Sequence, residues 1–218
     1  MIRVMVVDDE ALVRSGFEML LNVAEDIEVV ATAGGGQAMA AVAEHAPDLV
    51  LLDVRMPDVD GLTLLDRLMK LPRPPVVAML TTFDSDEYIA AALRAGASGF
   101  LVKDTDPDEL APLVRSLAAG GVVLAPKVTS TVISGYLRHH STAHADAEVA
   151  GRLTDRERDV LVLLAEGLSN ADVSRRLHLS VGTVKDHVSA VLAKLEVANR
   201  VQAALWAQSA GLLDRGRQ

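Results

Sequence analysis

Residues 51–61 read LLDVRMPDVDG and close a hydrophobic run, 49-LVLL-52, with a carboxylate, Asp53. A proline-bearing loop and a glycine follow. An isolated carboxylate at the end of a buried strand is strongly unfavourable, so Asp53 needs partners. The run is one of a series. Apolar, β-branched stretches at 2–7, 27–33, 48–53, 75–80 and 98–103 alternate with segments of helical spacing at 10–22, 36–45, 61–70, 84–95 and 106–119. This alternation predicts parallel strands joined by right-handed crossovers. The strands are apolar on both faces, as a sheet covered by helices requires. Breakers agree: Gly34–Gly36 precede a helix, Pro72, Pro74 and Pro75 follow one, and Gly96, Gly120 and Gly121 sit at helix ends. The expected fold is an α/β doubly wound parallel sheet of five strands in the order 2-1-3-4-5, followed by a smaller all-α domain.

The chain has 218 residues, enough for two modest domains. Only six residues are aromatic, so the cores must rest on Val, Leu and Ala. No apolar run approaches the ~18 residues of a membrane span, and the charges in MIRVMVVDDE argue against a signal peptide. Absent cysteines exclude disulfides and thiolate metal sites and point to the cytoplasm. The net charge of −9 is uneven: residues 1–125 carry 9 basic and 20 acidic side chains, residues 126–218 carry 12 and 10. The front half therefore repels nucleic acid. The back half does not, although its net charge alone is too weak to establish DNA binding.

Residues 1–121 are expected to form the first domain and 122–151 a connection. Within the connection, 126–138 has helical character with Pro126 at its start. The stretch 139-HHSTAHADAEVAG-151 reads as linker. Its histidines lack a carboxylate or thiolate at ligand spacing, so linker outweighs metal site. Residues 152–213 predict four helices. Thr154 and Glu157 form a capping box, Ser169 and Ser180 cap the next two helices, and Asn199 opens the last.

In a doubly wound sheet, ligands bind beyond the carboxyl ends of the strands. That rule gathers Asp8, Asp9, Asp53, Thr81 and Lys103. Crowded carboxylates take up a proton or a cation, and these offer the hard oxygens that Mg²⁺ prefers. A carboxylate can also act as nucleophile toward phosphorus, with the metal and Lys103 offsetting charge and a threonine donating a hydrogen bond. There is no Gly-rich phosphate loop. The segments VVDDE (6–10), LLDVRMPDVDG (51–61), LTT (80–82) and GFLVKD (99–104) resemble those of the receiver domain of bacterial two-component response regulators, which has the flavodoxin-like form of this sheet. The resemblance implies a sensor histidine kinase as partner and Asp53 as phosphorylated residue. It implies Mg²⁺ bound by Asp8, Asp9, Asp53 and the main-chain carbonyl of Arg55. Thr81 would be the switch hydroxyl, Phe100 the switch aromatic and Lys103 the phosphate partner. No enzymatic turnover is expected beyond the protein's own phosphorylation and dephosphorylation. In many receivers a proline follows this lysine; here Asp104 does. A cis bond without proline costs about 2.5–4 kcal/mol, so the sequence leaves the 103–104 bond open.

Helices over 170–177 and 181–195, joined by a short turn, predict a helix-turn-helix. Val181, Val184, Val188, Val191 and Leu195 form the expected buried stripe of the second. The segment from Leu153 to Leu195, with Asn199 and Arg200, resembles the LuxR-type output domain. It implies promoter DNA as partner. Lys185, Asp186 and Ser189 would face the groove, Thr183 and Arg200 would lie near phosphates, and the last helix would support a homodimer. RNA polymerase is a candidate further partner. Two other readings remain at this level: a phosphatase with an aspartyl nucleophile, and a DNA-binding regulator that ignores phosphorylation.

Overall fold

The computed structural model describes residues 1–81, 86–124 and 151–213. The first domain contains β1 (Ile2–Val7), α1 (Ala11–Leu21), β2 (Ile27–Ala33), α2 (Gly35–His45), β3 (Leu49–Asp53), α3 (Gly61–Met69), β4 (Val76–Thr81), α4 (Asp86–Ala95), β5 (Gly99–Val102), α5 (Pro107–Ala118) and β6 (Val123–Leu124). All neighbouring strands are parallel, in the order β2-β1-β3-β4-β5-β6. The expected five-strand order is present and is extended by one strand. β6 has two residues, too few to show a periodicity in sequence.

Alternation along the strands divides the core between the two faces of the sheet. Met5, Val7, Val50 and Leu52 pack with Ala38, Val42, Leu64, Leu68 and Leu93 under α2, α3 and α4. Val4, Val6, Leu49 and Leu51 pack with Phe17, Leu21, Leu110, Val114 and Leu117 under α1 and α5. Because the strands are parallel and in register, β1, β3, β4 and β5 deliver their last residues to one edge. Gly61 lets α3 begin hard against that edge: a Cβ there would run into the carbonyl oxygens of Asp53 and Val54.

The second domain consists of α6 (Asp155–Ala165), α7 (Asn170–Leu177), α8 (Val181–Leu195) and α9 (Arg200–Ser209). Thr154–Glu157 and Ser169–Asp172 are complete capping boxes, and the Ser180 hydroxyl accepts from the Thr183 amide. Val184, Val191 and Leu195 are buried as expected, but Val181 is 43% exposed. It occupies the first helical position, where the stripe has run past the core. The expected helix over 126–138 and the histidines of the linker lie outside the described residues.

Candidate functional site

Asp8 follows β1 and is fully buried, Asp53 ends β3 at 4% exposure, and Thr81 ends β4 at 3%. Main-chain bonds align these ends: Val54 N donates to Leu80 O at 3.2 Å, and Lys103 N to Thr81 O at 2.9 Å. Lys103 brings the acids together. Its Nζ lies 2.8 Å from Asp8 Oδ2, 3.1 Å from Asp53 Oδ1 and 3.6 Å from Glu10 Oε1. The Lys103–Asp104 peptide is trans, so this placement needs no unusual bond.

Burial pushes the Asp53 carboxyl up to about 6, and the nearby Asp8 charge adds to the rise. Lys103 and a main-chain hydrogen bond from Arg55 oppose it. Burial also works against the Lys103 ammonium, but its hydrogen bonds to Asp8 and Asp53 outweigh that and raise its pKa. Asp53 Oδ2 is buried and has no hydrogen-bond partner among the described residues. Asp8, Asp9 and Glu10 bring carboxylate oxygens within 4.8 Å of one another. A buried oxygen without a donor beside clustered hard ligands fits a divalent cation. Asp53 does not join that close group in this structure. Lys103 reaches into the pocket and contacts Asp53 as well as Asp8.

In the second domain Lys185, Asp186 and Ser189 are exposed on α8. The Thr183 amide donates to Ser180 Oγ at 3.0 Å and the two hydroxyls lie 2.8 Å apart, so the first turn of α8 is firmly capped.

A family model of the response regulator receiver domain matches residues 4–115. A model of bacterial regulatory proteins of the luxR family matches residues 151–207. The chain belongs to the response regulator family. It is a two-component transcriptional response regulator with a LuxR-type output domain. It is 39% identical over 214 residues to the uncharacterized transcriptional regulatory protein YxjL of Bacillus subtilis, covering 97% of each chain. It is 36% identical over 204 residues to the nitrate/nitrite response regulator protein NarL of Escherichia coli, covering 93% of each. Among solved structures it is similar to the response regulator ChrA of a heme-sensing two-component system, at 34% identity and a TM-score of 0.52, covering 97% of this chain and 98% of that one.

The response regulator's structure places two expected residues, Arg200 and Phe100, in buried positions and adds two that the sequence did not single out. Arg200, expected near DNA phosphates, is only 7% exposed. Its guanidinium donates to Leu168 O at 2.5 Å and faces Asn170 Oδ1 at 3.4 Å. Burial lowers its pKa to about 10. Both partners lie in its own domain, and Gly120 of the receiver passes so close that a Cβ there would lie 3.3 Å from Arg200 Nη1; in this arrangement the guanidinium is not presented to a phosphate. Phe100, the expected switch aromatic, is buried at 2% in the cluster that holds Ile89, Ala92 and Leu93. Glu10, not singled out from the sequence, belongs to the close carboxylate group. Arg14 was missed too: it donates to the carbonyl oxygens of Asp8 at 2.6 Å and Asp9 at 3.0 Å, bracing the acidic turn. The signal for it was its place one turn into the helix that VVDDE starts.

Proposed function

We propose that this response regulator accepts a phosphoryl group on Asp53 from a sensor histidine kinase and thereby controls promoter binding by its output domain. The observation that carries the reading is the Lys103 ammonium held between Asp8 and Asp53, with Asp53 Oδ2 left without a donor. Asp53 attacks phosphorus, an O–P bond forms, and the N–P bond to the kinase histidine breaks. Lys103 offsets the charge of the arriving group, and the Thr81 hydroxyl supplies a hydrogen bond from the neighbouring strand end. Asp8, Asp9 and Asp53, with the main-chain carbonyl of Arg55, would hold Mg²⁺, which supplies further neutralisation of phosphoryl oxygens when bound. Glu10 is placed to assist. Leu12 and Met19 are exposed along α1, which begins beside the acids, and Val23 is exposed just beyond its end. That apolar row supports docking of a helical phosphodonor next to the pocket.

The phosphoryl group then shifts a population of receiver conformers. Dimers form and bring two output domains to paired half-sites, with Lys185, Asp186 and Ser189 toward the major groove. RNA polymerase is a further partner in this reading. The chain works in the cytoplasm and has no turnover apart from its own phosphoryl cycle. Incubation with Mg²⁺ and labelled acetyl phosphate tests the proposal. A base-labile label should appear on the wild type and be absent from Asp53→Asn. Asp9→Asn should need more Mg²⁺ for the same labelling. Equal labelling of wild type and Asp53→Asn would refute the assignment.

A further inference from the structure

The two domains meet through side chains that do two jobs at once. Asn199 is the N-cap of α9: its Oδ1 accepts from the Gln202 amide at 3.0 Å. This fixes Nδ2 as the outward donor, and Nδ2 donates to the carbonyl oxygens of Leu93 at 2.6 Å and Ala97 at 3.1 Å. Gln202 repeats the pattern. Its Oε1 accepts from the Ala198 amide at 2.8 Å, and its Nε2 donates to Leu93 O at 3.1 Å. Leu93 lies in the last turn of α4 and Ala97 just beyond it. Leu93 O already accepts from the Gly96 main-chain amide at 3.2 Å, and a carbonyl has room for a second donor; carbonyls at a helix end, short of donors from within the helix, commonly take them from outside. The oxygens of two carboxamides therefore serve the start of α9, while their nitrogens finish α4.

Neighbouring contacts close the seam. Val201 joins the same buried cluster as Phe100, Ile89 and Leu93. The Asn170 amide donates to Ala119 O at 3.1 Å. Gly120, at φ +78°, passes so near that a Cβ would meet Asn170 Nδ2 at 2.6 Å. Arg200 is enclosed between these contacts. Meanwhile Lys185, Asp186 and Ser189 remain exposed on α8.

We propose that Asn199 and Gln202 form a releasable latch that holds the output domain on the end of α4, and that the closed state withholds Arg200 and the first turn of α9 without covering the groove-facing side of α8. The inference rests on the receiver–output reading above. Control then acts on the phosphate contact and on α9, and access to the groove is not the regulated step. The latch is also well placed to respond to the acid pocket. α4 is the helix that follows β4, whose last residue is Thr81, so a shift at that strand end is passed along one helix to Leu93.

Isosteric substitutions in the unphosphorylated full chain test this. Asn199→Asp and Gln202→Glu keep each acceptor for α9 and turn the donor into a carboxylate facing carbonyls. Asn199→Ser keeps a neutral cap that is too short to span the seam. Small-angle scattering reads the separation of the domains, and a labelled random-sequence duplex titrated over a salt series reads DNA binding. Each variant should raise the open-to-closed ratio on the order of tenfold, enlarging the radius of gyration with unchanged helix content. For Asn199→Ser, duplex affinity should rise several-fold and the salt slope steepen by about one phosphate contact. An unchanged radius in all three variants would overturn the latch. An enlarged radius with no gain in affinity for Asn199→Ser would overturn the role given to Arg200. Failure of the wild type to take up beryllofluoride would count against the receiver reading alone, because the scattering comparison does not depend on it.

Discussion

Replacing Lys103 by Met keeps the aliphatic stem and removes the one cation shared by two buried acids. Nζ sits 2.8 Å from Asp8 and 3.1 Å from Asp53, and the side chain is 13% exposed. Breaking a buried pair by deleting one partner costs about 3–5 kcal/mol when the other stays charged. The pocket has one escape, which is to take up a proton on Asp53. Burial already puts the wild-type Asp53 carboxyl at about 6, so protonating it at pH 7 costs only about 1.4 kcal/mol. This cheaper route sets the loss in metal-free buffer. At 2–4 °C per kcal/mol for a chain of this size, the first thermal transition should fall by about 3–6 °C. The sign with pH follows from the proton. Between the unfolded pKa, about 3.9, and about 6, both folded proteins hold a proton that the unfolded chain releases, so both lose stability as pH rises, by about 1.4 kcal/mol per unit at most. Above about 6 the wild type has released it and its slope levels off. The variant, without Lys103 to favour the carboxylate, keeps the proton and goes on losing stability. Differential scanning calorimetry of wild type and variant between about pH 4.5 and about pH 7.5, with chelator present, measures both quantities. A variant that melts within about 1 °C of wild type at pH 7 and shows the same slope above about pH 6 would refute the claim that Lys103 neutralises the pocket.

Gly61→Ala should destabilise the receiver by about 1–3 kcal/mol in urea unfolding, because the new Cβ meets two main-chain carbonyls at the end of β3; labelling of Asp53 should slow as the strand end shifts. In the output domain, hydrogen bonds from Lys194 at 2.6 and 2.8 Å hold the Glu157 carboxyl below its usual range, with the Thr154 amide adding to the effect. Its stabilisation is present above the unfolded pKa, about 4.3, and is lost as pH falls through the lower folded value. Glu157→Gln should therefore melt earlier at pH 7 and converge with wild type in acid, as circular dichroism melts can show. Lys185→Ala should weaken duplex binding and reduce the salt slope by about one if the side chain contacts phosphate; an unchanged slope with altered sequence preference would assign it to a base instead.

Much of the site was legible because it is built by rules that act along the chain. Continuous apolar, β-branched runs alternating with helical spacing marked the strands, and the parallel connection placed their ends together, so Asp8, Asp53, Thr81 and Lys103 were legible as one cluster. The caps at Thr154, Ser169, Ser180 and Asn199 are local hydrogen bonds spanning three residues, and each stands where the side-chain type placed it. β6 was missed because two residues carry no period. Val181 was misplaced because helical spacing cannot say where a stripe outruns its core. Glu10 was passed over because main-chain direction, and not residue type, turns it toward Asp8 and Asp9.

The sequence by itself determined the two folds and the helix-turn-helix, which depend on periodicity and capping within a few residues, and the acid pocket, which follows once parallel connections bring the strand ends together. Only the tertiary structure decided that Lys103 bridges the acids and that Asn199 caps α9 and completes α4 together. It also decided that Arg200 lies buried beside the receiver when it could have faced DNA. Those outcomes join residues about a hundred positions apart, as Asn199 joins Leu93. Which surfaces meet at such a distance depends on the shape and unsatisfied polar groups of two finished domains, and no local pattern in the chain encodes that.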